Sequence, residues 1–218
     1  RTAEGEASIE VVEETLDTHG GNPEILSIRE TRWGPILHDL DDTHSLALRW
    51  TAHQPGAINL DLGRLLQVGN IDDALEVAHS AGVPAQNLLV GDRHGDIAWT
   101  LIGRIPQRIG DCDPKAPLVP ARGCDWDGWM PADAAPSVVR PPDQRLWTAN
   151  SRVVDAEALA LIGDGGYDLG ARQRQIRDDL QAASHFSEAD LLAIQLDDRA
   201  LFLQRWRELY EKALAAAS

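Results

Sequence analysis

Residues 84–99 constrain the fold most. Leu88, Leu89 and Val90 form one apolar run, Ile97, Ala98 and Trp99 form another, and Asp92-Arg93-His94-Gly95-Asp96 separates them. Two apolar runs joined by so short a polar segment read as antiparallel strands, because a parallel pair needs a crossover of about a dozen residues or more. Gly95 supplies the positive φ that a tight hairpin requires.

The chain upstream is also β-rich. Residues 7–12 alternate polar and apolar side chains (Ser8, Ile9, Glu10, Val11), as a half-buried strand does. His19-Gly20-Gly21-Asn22-Pro23 marks a turn, and strands are expected over 25–30 and 36–40, either side of Trp33-Gly34-Pro35. Residues 45–50 make another. Asn70 then reads as the N-cap of a helix over 71–78, with Asp72 and Asp73 in the first turn where the helix dipole favours acids. Ala81-Gly82 closes it.

Downstream, residues 103–145 carry Pro106, Pro114, Pro117, Pro120, Pro131, Pro136, Pro141 and Pro142. This reads as a long irregular loop wrapping a surface, with a short strand returning at 146–149. Helices follow over 171–183, from Ser187 in capping-box fashion with Asp190 at N3, and over 201–216. The last carries an apolar stripe of Leu203, Trp206, Leu209, Tyr210 and Leu214. The class is α+β, antiparallel strands followed by C-terminal helices. Residues 1–218 form a single segment: 1–55 mainly β, 56–82 helical, 83–150 hairpin plus Pro/Trp-rich loop, 151–218 mainly helical.

Composition sets limits on function. Hydrophobic residues at 43% and charged residues at 25% fit a soluble globular chain. A net charge of −15 argues against a nucleic-acid or anionic-membrane partner, whose phosphates it would repel. No apolar run is long enough to span a membrane. The seven Trp residues point to a groove, an interface or a polar rim, since an indole N–H needs a partner when buried. Cys112 and Cys124 fit a disulfide in an oxidising compartment, or two unrelated free thiols; without a His cluster they make no structural zinc site.

Local catalytic motifs are absent. There is no Gly-x-Ser-x-Gly elbow, phosphate loop or His-Glu-x-x-His. The histidines lack ligand spacing, and the acid pairs Asp41-Asp42 and Asp111/Asp113 read as solvated loop acids. An N-terminal-nucleophile hydrolase needs no such motif. Its terminal amine is the base for its own side chain, and the remaining task is to stabilise an oxyanion, which an Asn amide can do.

Several blocks carry a family likeness between about Arg29 and Asp198. They are Arg32-Trp33-Gly34-Pro35, Leu46-Ala47-Leu48-Arg49-Trp50-Thr51, the hairpin of 84–99, Gly103-Arg104-Ile105-Pro106-Gln107-Arg108 and Asp125-Trp126-Asp127-Gly128-Trp129 with Pro131. Trp147-Thr148-Ala149-Asn150 and Gly170-Ala171-Arg172 with Ile176 and Leu180 complete the order. Together they resemble the penicillin acylase family, amide hydrolases whose catalytic serine opens the mature β chain.

The resemblance implies an N-terminal-nucleophile αββα sandwich, of which this chain is an internal fragment of the β chain. It implies Asn150 as oxyanion donor, Arg172 beside it, Trp50 as a wall of the acyl pocket, and Gln86 and Asn87 along the cleft. The substrate class implied is N-acyl amides of penicillin or acyl-homoserine-lactone type, in a self-processed periplasmic or secreted enzyme. The chain opens on Arg1-Thr2, so the serine, the small α chain and the rest of the β chain are expected elsewhere, and the fragment alone is expected to be inactive. No cofactor is expected. The carbonyl of Pro114 falls where some members help hold calcium, but no carboxylate near Asp155 matches. Some members carry a longer Asn-x-Asn-Asn run where this chain has Asn150-Ser151. The competing reading is a non-catalytic β-rich binding or assembly module. Coplanar exposed Trp rings would favour the module; Asn150 and Arg172 close together in a cleft would favour the acylase.

Overall fold

The computed structural model describes residues 5–111, 113, 116–118, 123–163 and 166–217. Strand β1 (Glu10–Leu16) pairs with β2 (Glu24–Thr31), which leads into β3 (Gly34–Asp39) and β4 (Ser45–Ala47); all neighbours are antiparallel, in the order β1-β2-β3-β4. The first strand starts later than its alternation suggested and runs further. Pairing sets strand ends, and the ladder runs from Glu10 opposite Glu30 to Leu16 opposite Glu24. Between β2 and β3 the chain needs glycine. Gly34 has φ +138°, and a Cβ there would strike the Leu48 carbonyl. Strand β4 stops at Ala47, short of the expected Trp50, and a 3-10 turn follows at Thr51–His53.

After a second 3-10 turn at Asp61–Gln67 comes helix α1 (Ile71–Ser80). Asn70 caps it as its sequence required: the Oδ1 atom accepts from the Asp73 backbone N–H at 2.9 Å. Ile71, Ala74, Val77 and Ala78 are its buried face. That face packs on a second sheet, in which β6 (Ile97–Ile102) is central between β5 (Gln86–Gly91) and β9 (Ser137–Val139). Ala78, Ala81 and Ile102 form the core there, with Leu65, Val83 and Leu88 packed against them. The hairpin turn is fastened by Asp92, whose Oδ1 accepts from the backbone N–H groups of His94 (2.8 Å) and Asp96 (3.2 Å).

The Pro-rich segment is more regular than its composition implied. β7 (Pro106–Ile109) pairs with β8 (Asp125–Trp129), and β9 lies in the same segment. Its prolines sit where a ladder donor is not needed: Pro106 opens β7, Pro131 follows β8 and Pro136 precedes β9. Conversely, 146–149 form no strand. An apolar run becomes a strand only beside a partner, and among the described residues no strand pairs with it. Cys124 is held in a disulfide; Cys112 and Pro114 lie outside the described residues.

Helices α2 (Ala156–Ile162), α3 (Ala171–Gln181), α4 (Glu188–Gln195) and α5 (Gln204–Ala217) complete the chain. The capping box at α4 forms as expected from Ser187 and Asp190. Helix α3 ends two residues before the expected Ala183, where an arginine takes over its carbonyls. Arg145 donates to Leu180 O at 3.0 Å, Ala183 O at 3.1 Å and Ser184 O at 2.9 Å. Arg108 does the same for α2, reaching Leu161 O at 2.7 Å and Ile162 O at 3.0 Å. The expected helix over 201–216 opens as a 3-10 turn at Leu201–Leu203 before α5, and its stripe of Leu203, Trp206, Leu209, Tyr210 and Leu214 is exposed.

One pH effect follows from the α1–β6 contact. Thr100 is buried, and its hydroxyl lies 3.0 Å from Pro136 O and 2.8 Å from His79 Nε2. Burial pushes the His79 imidazole below its ordinary value, with a backbone contact to Ala132 opposing. A His held neutral adds stability that is fully present above its unfolded pKa of about 6.5 and is lost as pH falls through the lower folded value. Thermal midpoints of the full-length protein are expected to drop between about pH 7.5 and pH 5.5, and to drop less in His79→Gln. Equal slopes in the two proteins would contradict the assignment.

Candidate functional site

The segment 149–152 is fastened to the start of α3 residue by residue. Asn150 has φ +58°, the left-handed region that Asn tolerates better than most side chains. Its carbonyl accepts from the Asp168 N–H at 2.9 Å. Ser151 is buried and its hydroxyl donates to Gln173 Oε1, while Gln173 Nε2 donates to Arg152 O at 2.9 Å. Gly170, left-handed at φ +77°, brings α3 up against Ser151.

Arg172, the second residue of α3, points back over this kink. Its Nη2 donates to Asn150 Oδ1 at 2.9 Å, to Asp168 Oδ2 at 2.8 Å and, at 3.4 Å, to Ala149 O. A cation in the first turn is disfavoured by the helix dipole; here Asp168 and the two other oxygens offset that cost. A guanidinium only donates, so the Asn150 atom that meets it is the carbonyl oxygen. The Asn150 Nδ2–H groups are thereby turned away from Arg172, and among the described residues nothing accepts from them. Asn150 is exposed, with Arg172 at 63% and Asp168 at 59% side-chain exposure. The pair therefore touches as expected, on an open surface.

The other expected residues lie apart from that pair, with no hydrogen bond or ring contact to it. Trp50 is about half exposed and meets His53 edge-on at 5.2 Å. Asn87 Oδ1 accepts from the indole N–H of the buried Trp99 at 2.9 Å, which leaves its Nδ2 as a donor. Gln86 pairs with Ile102 and Asn87 with Leu101. Adjacent strand residues face opposite ways, so Gln86 shares the α1-packed face with Leu88 and Ile102, and Asn87 has the Trp99 face. The two side chains therefore lie on opposite faces of the second sheet.

Among the described residues no three His, Cys, Asp or Glu side chains converge as a metal centre. The acidic turns are instead self-satisfied: Asp41 accepts from the Thr43 backbone and hydroxyl and from His44, which holds its carboxyl well below the usual range. The tryptophans form no coplanar ladder. Arg49 stacks over Trp126 at 4.4 Å, Arg32 over Trp33 at 4.8 Å and Arg104 over Trp129 at 6.0 Å. Asp125 joins Arg49 and Arg32, tying the first sheet to β8. Sequence reading missed Asp168, Ser151 and Gln173. The Asp168–Arg172 spacing of four was a signal in principle, but Asp168 precedes the helix.

Comparison with known proteins places the chain among its relatives. A family model described as penicillin amidase matches residues 1–217. The chain is 29% identical over 189 residues to a penicillin acylase 2 proenzyme of Pseudomonas sp. (strain SE83), covering 84% of this chain and 24% of that protein. It is 26% identical over 214 residues to the acyl-homoserine lactone acylase QuiP of Pseudomonas fluorescens, covering 93% and 25%. It thus spans about a quarter of the length of these curated relatives. A thermostable penicillin G acylase from Alcaligenes faecalis superposes with a TM-score of 0.70 at 20% identity, over 86% of this chain and 34% of that one. That likeness shows the fold: an α+β portion of the N-terminal-nucleophile hydrolase sandwich.

Proposed function

Because the chain belongs to the penicillin amidase family, we propose that it is part of an amidohydrolase whose nucleophile, an N-terminal serine, lies outside these residues. The serine oxygen attacks the acyl carbonyl of an N-acyl amide, and its proton passes to its own terminal amine. Charge then builds on the former carbonyl oxygen. Asn150 Nδ2–H donates to that oxyanion, and Arg172 holds the amide in place. Collapse expels the amine and leaves an acyl ester, which water hydrolyses to the carboxylic acid. The observation that carries this reading is Arg172 Nη2 on Asn150 Oδ1 at 2.9 Å, which commits the amide's oxygen and frees its N–H groups.

The names of the relatives point to penicillin-type and acyl-homoserine-lactone-type amides; Trp50 as an acyl-pocket wall and Gln86 and Asn87 along the cleft belong to the same proposal. The disulfide at Cys124 supports a periplasmic or secreted location. No described helix is long and apolar enough to cross a membrane. The Arg-stacked Trp rings give the binding-module reading no platform. The test is the intact mass of the purified full-length gene product. Two chains are expected, the larger beginning at Ser upstream of Arg1, with release of a carboxylic acid from an N-acyl amide. A single inert chain would overturn the proposal.

A further inference from the structure

We propose that Asp168 is a positioning residue for the oxyanion donor, an inference that rests on the reading of Asn150 above. Asp168 grips Asn150 at two points. Its backbone N–H donates to the Asn150 carbonyl at 2.9 Å, which fixes the left-handed kink. Its carboxylate Oδ2 accepts from Arg172 Nη2 at 2.8 Å, and that same nitrogen holds Asn150 Oδ1. Arg172 has a long side chain with 63% exposure, and besides Asp168 and Asn150 its guanidinium meets only the Ala149 carbonyl, at a long 3.4 Å, among the described residues. A carboxylate on one side and an amide oxygen on the other set the direction of Nη2.

Asp168 also neutralises the cation next to the reacting centre. An uncompensated Arg172 would compete with Asn150 Nδ2 for the developing oxyanion or bind the carboxylic acid product. With Asp168 in place the guanidinium is an orienting group, and the donor facing the substrate is the neutral amide.

The experiment uses the full-length enzyme with an N-acyl amide substrate. Asp168→Ala is expected to lower kcat about ten- to a hundredfold with KM within about twofold, the cost of a misplaced catalytic group. Asp168→Asn, which keeps an acceptor oxygen for Nη2 but not the charge, is expected to restore the part of that loss due to orientation and to leave the part due to the uncompensated cation. In an Arg172→Ala background, Asp168→Ala is expected to change kcat less than about twofold, because the group it acts through is gone. A lower thermal midpoint with kcat unchanged, or full additivity with Arg172→Ala, would overturn the proposal. Asn150→Ala measured in parallel separates this from the parent reading. If Asn150→Ala keeps its rate, the oxyanion assignment falls, and a crystal structure of Asp168→Ala decides the positioning role. An intact Asn150–Arg172 bond there would refute it; a displaced Asn150 amide would uphold it.

Discussion

Asn150→Ala in the full-length enzyme is expected to lower kcat by about a hundred- to a thousandfold, the usual cost of removing one preorganised oxyanion donor. The loss should fall on kcat and kcat/KM alike, because the interaction exists only once charge has developed. The backbone complicates the substitution. Asn150 sits at φ +58°, where alanine is strained and glycine is not. Asn150→Gly therefore serves as the partner variant: it removes the same donor and relieves the strain. Equal loss in both assigns the effect to the amide. Loss in alanine alone assigns it to the backbone, and wild-type rates in both end the oxyanion assignment. Steady-state kinetics with one N-acyl amide substrate suffice.

Trp99→Ala has the largest expected effect on stability. Trp99 is 2% exposed on the central strand β6, and its indole N–H is satisfied by Asn87. Removing so much packed volume costs about 3–5 kcal/mol, against a total of about 5–15 kcal/mol for an ordinary domain. The variant is expected to move largely to the insoluble fraction, or to melt well below the parent. Trp99→Phe keeps most of the ring volume and leaves Asn87 Oδ1 at an exposed position where water can reach it, so a soluble protein with a modestly lower midpoint is expected. A soluble Trp99→Ala protein with an unchanged midpoint would show that the second sheet does not depend on this side chain.

The features legible in the sequence were those set by local chemistry. Asn70 before an acid-rich turn had to cap a helix, Ser187 with Asp190 had to form a reciprocal box, and Asp92 to Asp96 had to turn. Each needs only residues three or four apart. The features that sequence reading missed depend on partners far along the chain. Pro106 can open a strand because residues 125–129 come to pair with it, whereas 146–149 find no partner and stay without a ladder. The site divides the same way. Asn150 and Arg172 were expected side by side from the order of family blocks, and the structure brings the two side chains into contact. That Gln86 and Asn87 face opposite ways follows from strand alternation alone. Asp168 and Gln173 act through bonds to residues 18 and 22 positions away, a relation that no spacing rule encodes.

The two arginines that close helix ends bear on how the chain is made. Arg108 precedes the α2 carbonyls it donates to by 53 and 54 positions, and Arg145 precedes the carbonyls at and just beyond the end of α3 by 35 to 39. A chain leaving the ribosome N-terminus first presents each guanidinium before the helix it serves has been synthesised. The β portion can therefore stand as a waiting template, and α2 and α3 are completed by docking onto it. Their last turns mature in the order of translation, each paying its loop-closure entropy only after the receiving surface exists.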